Sequence, residues 1–233
     1  MTLQEALNEF LFQKKLAGLS PKSIEDYQTI LGILLTAVGS SMPLESLSYT
    51  TVANYILSLY DRPLSRSTVA TYIRNIRIFL HWVYREYGLS FNPAKIKVPK
   101  SPKKIVHIYT DTEIQFLFSC IQTSVPWITA RNSAIIALML DSGIRQKEVC
   151  ELQKADIDKE RMLMKVTGKG AKDRLVPLGY ISSLFLDDYL SQCPYSNTAY
   201  VFVDRLGRPL SGNAVRVFVN RLQKKITFRF IFA

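Results

Sequence analysis

The residues best suited to chemistry stand where a long apolar segment ends. Residues 134–140 are almost continuously apolar, and a turn at Gly143 then leads to Arg145, which opens a second helical pattern. This order predicts a core helix, a glycine stop and an arginine at the start of the next helix. A guanidinium that emerges beside a core needs an anion. Its fork of N–H groups fits two oxygens of one phosphate, and the alternative is a structural ion pair with Glu148, three positions further on.

A second cationic group follows in a predicted β-hairpin. Two apolar stretches flank the basic turn 168–172, in which Gly168 and Gly170 permit positive φ angles. The pattern predicts a hairpin whose tip carries Lys169 and Lys172. A lysine flanked by glycines can approach a phosphate backbone closely, and the alternative is a solvated turn. The Gly-Lys-Gly triplet is a weak signal alone, but its position after the arginine strengthens it.

Together these segments resemble those of the tyrosine recombinase family, which includes the phage integrases and the Xer-type recombinases. The matching stretches are 142–152, around the first arginine, and 166–178, the lysine hairpin; a looser match covers 109–114, where the catalytic domain of these enzymes begins. The resemblance covers most of the chain. It implies site-specific recombination and integration of double-stranded DNA through a 3′-phosphotyrosyl intermediate, with no metal and no other cofactor.

The resemblance also implies roles for individual residues. Arg145 matches the first catalytic arginine, which stabilises negative charge on the nonbridging phosphate oxygens. Lys169 matches the general acid that protonates the departing 5′-oxygen, and Glu148 is expected to hold the arginine in place. Lys172 and Arg174, on the same hairpin, are expected to contact DNA phosphates.

The chain departs from the family pattern after this hairpin. The family has a His-x-x-Arg box, a second His or Trp and a nucleophilic tyrosine several tens of residues later, whereas His81 and His107 are the chain's two histidines and both precede Arg145. The four tyrosines after the hairpin have no such box before them, so none is assigned as the nucleophile. The run 224–233 is unlike a domain terminus. We therefore expect a C-terminally truncated or frame-shifted recombinase, with an incomplete catalytic set, that binds DNA without cleaving it.

Composition narrows the class of partner. The formal net charge is +11 and the isoelectric point is near 9.6, which favours a polyanion, and a hydrophobic content of 48% indicates folded cores rather than a disordered basic tail. No segment reads as a membrane span or a signal peptide, so we expect a cytoplasmic protein without membrane binding. Three widely spaced cysteines and two histidines predict no metal site.

The elements that must position these groups form two predicted domains. Residues 1–94 carry four amphipathic helical patterns, whereas 105–233 combines helices with the hairpin, so the predicted fold class is mainly α with a small antiparallel β-sheet (α+β). The Lys/Pro-rich segment 95–104 is predicted to be an extended, solvated linker. The resemblance implies a SAM-like, core-binding first domain and an incomplete catalytic second domain that together clamp DNA; a plain tether is the alternative for the linker.

The fourth predicted helix, 65–87, joins an apolar stripe to a basic face. That face could follow DNA phosphates, as the first domain of the resembled family does, or it could be an ordinary solvated surface. After the hairpin, we predict a helix over 181–190, a strand over 200–203 and a final helix capped by Ser211. The further candidate DNA-binding residues are Arg66, Thr68, Arg74, Arg77, Lys100, Lys103 and Lys104.

Two alternative functions remain open. A non-catalytic regulator could use the same domains to occupy a recombination site and block a full-length relative. A helix-turn-helix transcription factor would account for the basic helical first domain, but it leaves Arg145 and the lysine hairpin unexplained. Because the resembled family assembles as tetramers on two DNA sites, association with itself or with related subunits is also expected.

Overall fold

A computed structural model of the protein describes residues 1–100, 107–168, 170, 172–226 and 228. Over these residues the chain forms nine α-helices and one three-stranded antiparallel sheet, which confirms the predicted fold class. The chain divides into two compact units, Met1–Ile105 and Val106–Ala233. No helix of the described part of the chain is long and apolar enough to cross a membrane.

Four helices build the first unit, and a serine or threonine hydroxyl caps the start of each. These hydroxyls accept hydrogen bonds from backbone N–H groups that the first helical turn leaves without partners, so the local sequence defines where each helix begins. Gly18 and Gly88, both with positive φ, follow the first and last of them. The helices are α1 (Leu3–Leu16), α2 (Pro21–Val38), α3 (Tyr49–Tyr60) and α4 (Arg66–Glu86).

An aromatic cluster forms the centre of this unit. The fully buried Phe10 packs edge-on against Tyr27, Phe79 and Trp82, with ring centroids 5.3 to 5.5 Å apart. Edge-to-face packing places the positive ring edge against the negative ring face, which adds to the free energy gained by burial. The three helices α1, α2 and α4 are thereby joined in one core.

The first unit extends into the segment predicted to be a linker. Ile96 is 5% exposed and Val98 is partly buried, and both pack on the core of the first unit. Residues 95–98 are therefore part of a folded surface rather than a solvated tether. The apolar side chains that alternate with the lysines explain the difference, because they bury while the lysines remain in water.

The second unit surrounds one central helix with shorter helices and the sheet. The strands pair antiparallel in the order β1-β2-β3. The central helix α6 is apolar over residues 134–140 and packs along α8. Its residues 127–140 are all buried or half-buried, as expected for a helix without a broad polar face. The elements are α5 (Asp111–Ser119), α6 (Pro126–Ser142), α7 (Gln146–Glu151), β1 (Ile157–Asp158), β2 (Leu163–Thr167), β3 (Asp173–Pro177), α8 (Tyr180–Gln192) and α9 (Gly212–Gln223).

One predicted strand is wrong. Residues 200–203 form no strand, although Val201 and Phe202 are buried as predicted for an apolar run. Tyr200 and Val203 each make a single isolated bridge, to Gln153 and Pro209 respectively. A strand needs a neighbour that stays alongside for several residues, and here the two ends have different neighbours.

Candidate phosphate-binding site

Arg145 lies at the corner between α6 and α7. The helix α6 ends at Ser142, and Gly143 reverses the chain in the left-handed region with φ of 63°. Ile144 is 1% exposed and anchors the corner in the core, whereas the side chain of Arg145 is 61% exposed. The corner therefore fixes the backbone of Arg145 while leaving its guanidinium accessible to a ligand.

Glu148 is the centre of an ion-pair cluster. Its side chain is only 3% exposed, and its Oε2 accepts the backbone N–H of Arg145 at 2.8 Å. The Nη1 of Arg145 lies 3.1 Å from Oε1 of the same carboxylate. Arg174 donates both of its Nη groups to the two carboxylate oxygens, at 2.7 and 2.8 Å. One buried carboxylate thus holds two guanidinium groups, and the cluster retains one net positive charge.

The two arginines explain the ionisation of Glu148. Hydrogen bonding to Arg174 is the largest influence, and the backbone and side-chain bonds from Arg145 add to it, so that the pKa of Glu148 falls from 4.5 to about 2 despite the opposing effect of burial. The carboxylate is therefore charged at any physiological pH. A buried charge of this kind is tolerated because its partners are paired with it and hydrogen-bonded.

The predicted hairpin is present and reaches this cluster. β2 and β3 pair from Leu163–Pro177 to Thr167–Asp173, and the N–H of Gly168 donates to the carbonyl of Lys172 at 2.8 Å. Gly170 has φ of 81°, as predicted, whereas Gly168 does not lie in the positive region. A Cβ on Gly168 would stand 3.3 Å from Nη1 of Arg174 and 3.6 Å from Oε1 of Glu148. The first strand of the hairpin, β2, therefore ends beside the arginine cluster.

Of the two lysines of the hairpin, Lys172 is among the described residues. Lys172 is exposed, and within the described residues it makes no ion pair. Lys169, the predicted general acid, lies outside the described residues, so its convergence with Arg145 on one phosphate stays a prediction. What the structure establishes is that its neighbour Gly168 lies against the Glu148 cluster.

The pairing of Arg174 with Glu148 was not predicted from the sequence. Arg174 faces Val166 across the hairpin and shares a strand face with the buried Val176. Alternate residues of a strand point to the same side, so this position faces inward and a charged side chain there needs a buried partner. That alternation is the signal that could have identified it. Arg174 is therefore engaged by a carboxylate while its side chain stays 37% exposed, and its predicted contact with DNA stays a prediction.

The tyrosines after the hairpin, none of which is assigned as the nucleophile, differ in exposure and hydrogen bonding. Tyr189 is fully buried, and its hydroxyl accepts the N–H of Val203, while burial raises its pKa well above the usual value. Tyr195 donates to the carbonyl of Arg205. Tyr180 is 70% exposed at the start of α8. Among the described residues, no cluster of His, Cys, Asp or Glu could hold a metal ion.

A second cationic surface lies on α4 of the first unit. At 100° per residue, Arg66, Arg74, Arg77 and Arg85 fall within one face of this helix, and the first, second and last of them are exposed. No ion pair involving these four arginines occurs in the described part of the chain. We call these four residues the α4 arginine stripe. Arg77 is half-buried and its Nε lies 3.4 Å from Nε2 of His81.

The DNA contacts expected of the remaining candidate residues stay predictions. Thr68 lies outside the stripe, and its hydroxyl is 2.8 Å from that of Ser65 in the cap of α4. Lys100 is exposed. Lys103 and Lys104 lie outside the described residues.

Comparisons with known proteins agree with this layout. A model of the phage integrase family matches residues 108–230. Tyrosine recombinase XerC of Bacillus pumilus is 31% identical over 190 residues, a match that spans 78% of this chain and 62% of that protein. Tyrosine recombinase XerD of Halalkalibacterium halodurans is 26% identical and spans 97% of this chain and 78% of that one. The chain thus covers less than two thirds of the first of these relatives.

Solved structures share the fold at lower identity. A lambda integrase dimer bound to a core site aligns with a TM-score of 0.79 and 18% identity, covering 98% of this chain and 80% of that one. The integrase of the Tn1549 transposon, in complex with circular intermediate DNA, aligns with a TM-score of 0.78 and 16% identity, covering 97% of this chain and 78% of that one. Similarity at this level of identity establishes a common fold.

Proposed function

The chain belongs to the phage integrase family, and we propose that it is a site-specific tyrosine recombinase whose residues Arg145 and Lys169 act on a phosphate of double-stranded DNA. The observation that carries the proposal is the buried Glu148 carboxylate, which holds two guanidinium groups beside the Gly168 end of the hairpin. We also propose a cytoplasmic location, where a DNA substrate would be accessible.

Arg145 has the freedom that such a role requires. Glu148 engages its backbone N–H and one Nη, while the rest of its exposed guanidinium remains available to solvent or to a ligand. A phosphate bound there would receive charge-assisted hydrogen bonds from a group whose orientation is already fixed. As negative charge grows on the nonbridging oxygens during attack, the same bonds would strengthen.

Arg174 would support this arrangement indirectly. Because it occupies both oxygens of Glu148, the carboxylate cannot rotate to neutralise Arg145 completely. The cluster therefore keeps a net positive charge directed at the DNA. Lys172 would add a phosphate contact from the hairpin, and the α4 arginine stripe would add sequence-independent contacts from the first unit.

Strand cleavage needs a nucleophile that these residues do not supply. No His-x-x-Arg box occurs in the 233 residues, and the tyrosines after the hairpin lack one upstream. We propose that a polypeptide of this sequence binds DNA but forms no phosphotyrosyl bond. A suicide substrate with a nick near the cleavage position tests this: a covalent protein–DNA band would refute the proposed inactivity.

Binding itself is tested by substitution of the central arginine. We expect Arg145→Ala and Arg145→Lys both to weaken binding to a DNA duplex, since lysine keeps the charge but not the fork that fits two phosphate oxygens. The expected loss is about tenfold at low salt for alanine and smaller for lysine. Equal affinity of all three proteins, measured by fluorescence anisotropy, would contradict a phosphate role for Arg145.

A non-catalytic regulator is the second candidate, because Arg145, Lys172 and the α4 arginine stripe could occupy a DNA site without cleaving it. Such a protein would occupy the sites of an active relative or join its subunits on DNA. Adding this chain to a recombination assay of a related enzyme should then lower the yield of product in proportion to site occupancy. An unchanged yield at saturating concentrations would exclude this role.

A further inference from the structure

The carboxylate of Asp141 occupies a position that neither the family resemblance nor the proposed chemistry uses. It belongs to the last turn of α6, four residues before Arg145. Its Oδ2 accepts the backbone N–H of Gly179 at 2.7 Å and lies 3.0 Å from the hydroxyl of Ser182. Gly179 lies two residues after β3 and caps α8, and Ser182 is 2% exposed in the first turn of that helix.

Gly179 is required for room rather than for its backbone angle. Its φ is −67°, which any residue can adopt, but a Cβ at this position would stand 2.6 Å from the Cγ of Asp141. A glycine therefore lets the end of the hairpin approach the carboxylate closely enough to bond. The negative charge also lies at the positive end of the α8 dipole.

The hairpin is consequently attached to the Arg145 corner at two places. Near its tip, Arg174 of β3 bonds to Glu148 of α7. At its base, Gly179 and Ser182 bond to Asp141 of α6. Two separated attachments remove the rotation that one attachment would allow. The distance between the hairpin and Arg145 is thereby fixed by the protein before any ligand binds.

We propose that Asp141 is a positioning residue, which fixes the base of the β2–β3 hairpin against the corner that carries Arg145. The inference rests on the proposed DNA function for its purpose, but the attachment itself is independent of DNA. Three variants separate the possibilities. Asp141→Ala removes both bonds, Asp141→Asn keeps an oxygen that can accept them, and Asp188→Ala removes an exposed carboxylate from α8 as the matched control.

Nuclear magnetic resonance of Arg174 measures the attachment without DNA. Its bidentate pair with Glu148 restricts rotation of the guanidinium and keeps the two Nη resonances separate. We expect separate resonances in the wild type, Asp141→Asn and Asp188→Ala, and merged resonances in Asp141→Ala. If Asp141→Ala fails to fold, Ser182→Ala, which leaves the Gly179 bond intact, should show partial merging. Separate resonances in every folded variant would overturn the proposal.

A double-mutant cycle in DNA binding gives the functional readout. Lys172→Ala should weaken binding roughly threefold to tenfold in the wild-type background but at most about twofold in Asp141→Ala, because a displaced hairpin no longer presents the lysine. Equal effects in both backgrounds would reduce Asp141 to an ordinary helix cap. A wild type that binds no DNA would instead defeat the proposed function, and the resonance experiment would still decide the attachment.

Discussion

The two cationic regions of this protein hold their arginines in opposite ways. In the α4 arginine stripe, Arg66 and Arg74 extend from a helix face into solvent and make no ion pair within the described residues. In the second unit, Arg145 and Arg174 share the buried carboxylate of Glu148. The stripe can adapt to any run of phosphates, whereas the cluster keeps one geometry at the cost of burying a charge. Under the proposed function, this difference would separate affinity for DNA in general from recognition of one phosphate.

Removal of the Glu148 carboxylate is expected to have the largest effect on the contrast between the two regions. We expect Glu148→Ala to lower the free energy of unfolding of the second unit by about 2–3 kcal/mol, because two guanidinium groups then face each other without their shared anion; the cost stays below that of a fully buried pair because both arginines are partly exposed. Urea denaturation followed by circular dichroism measures it.

Glu160→Ala provides the matched control, since Glu160 is exposed and has no ion pair in the described part of the chain. Its free energy of unfolding should stay within about 0.5 kcal/mol of the wild type. A similar loss in both variants would mean that the cluster contributes no special stability.

The lowered pKa of Glu148 predicts that the free energy of unfolding depends on pH. Its pKa is about 2 in the folded protein and 4.5 as the ordinary value. A lowered folded pKa stabilises the protein above the ordinary pKa, and this stabilisation disappears as the pH falls from 4.5 towards 2. The difference in unfolding free energy between wild type and Glu148→Gln should therefore be constant above about pH 5 and shrink below it, by about 3 kcal/mol in total. A difference that is independent of pH would contradict the lowered pKa.

Substitutions in the stripe should affect binding rather than folding. We expect the double variant Arg66→Ala, Arg74→Ala to bind duplex DNA about tenfold more weakly. The slope of log affinity against log salt should fall in magnitude by about 2, because binding with two fewer phosphate contacts releases fewer counterions. Its unfolding free energy should change by less than about 0.5 kcal/mol. Titrations at several salt concentrations measure both quantities, and an unchanged slope would remove the stripe from the DNA interface.

The smallest effect is expected at Thr68. Its hydroxyl belongs to the cap of α4 with Ser65 and lies off the stripe, so Thr68→Val should change DNA affinity by less than about twofold. The residue was predicted from the sequence to bind DNA. A loss of DNA affinity comparable to that of the arginine double variant would support that prediction.

Local signals in the sequence predicted the elements around the site. The glycine stop at Gly143, the apolar run of α6 and the glycine-bracketed turn of the hairpin each act over a few residues, and the structure has all three elements. The strand predicted at residues 200–203 was wrong for the converse reason. Its apolar pattern predicted burial correctly, but a strand also depends on a partner from elsewhere in the chain.

Neighbouring residues were enough to predict α6, the glycine stop before Arg145, the hairpin and the basic face of α4, because capping, glycine conformations and helical periodicity are local properties. Arg145 was expected to emerge beside the core, whereas its side chain is 61% exposed. The pairing of Arg174 with Glu148 and of Asp141 with Gly179 depends on the tertiary fold. These pairs are separated by 26 and 38 positions in the chain. They form because the packing of α6, α7 and the hairpin brings a buried carboxylate and its donors together where water cannot serve as the partner.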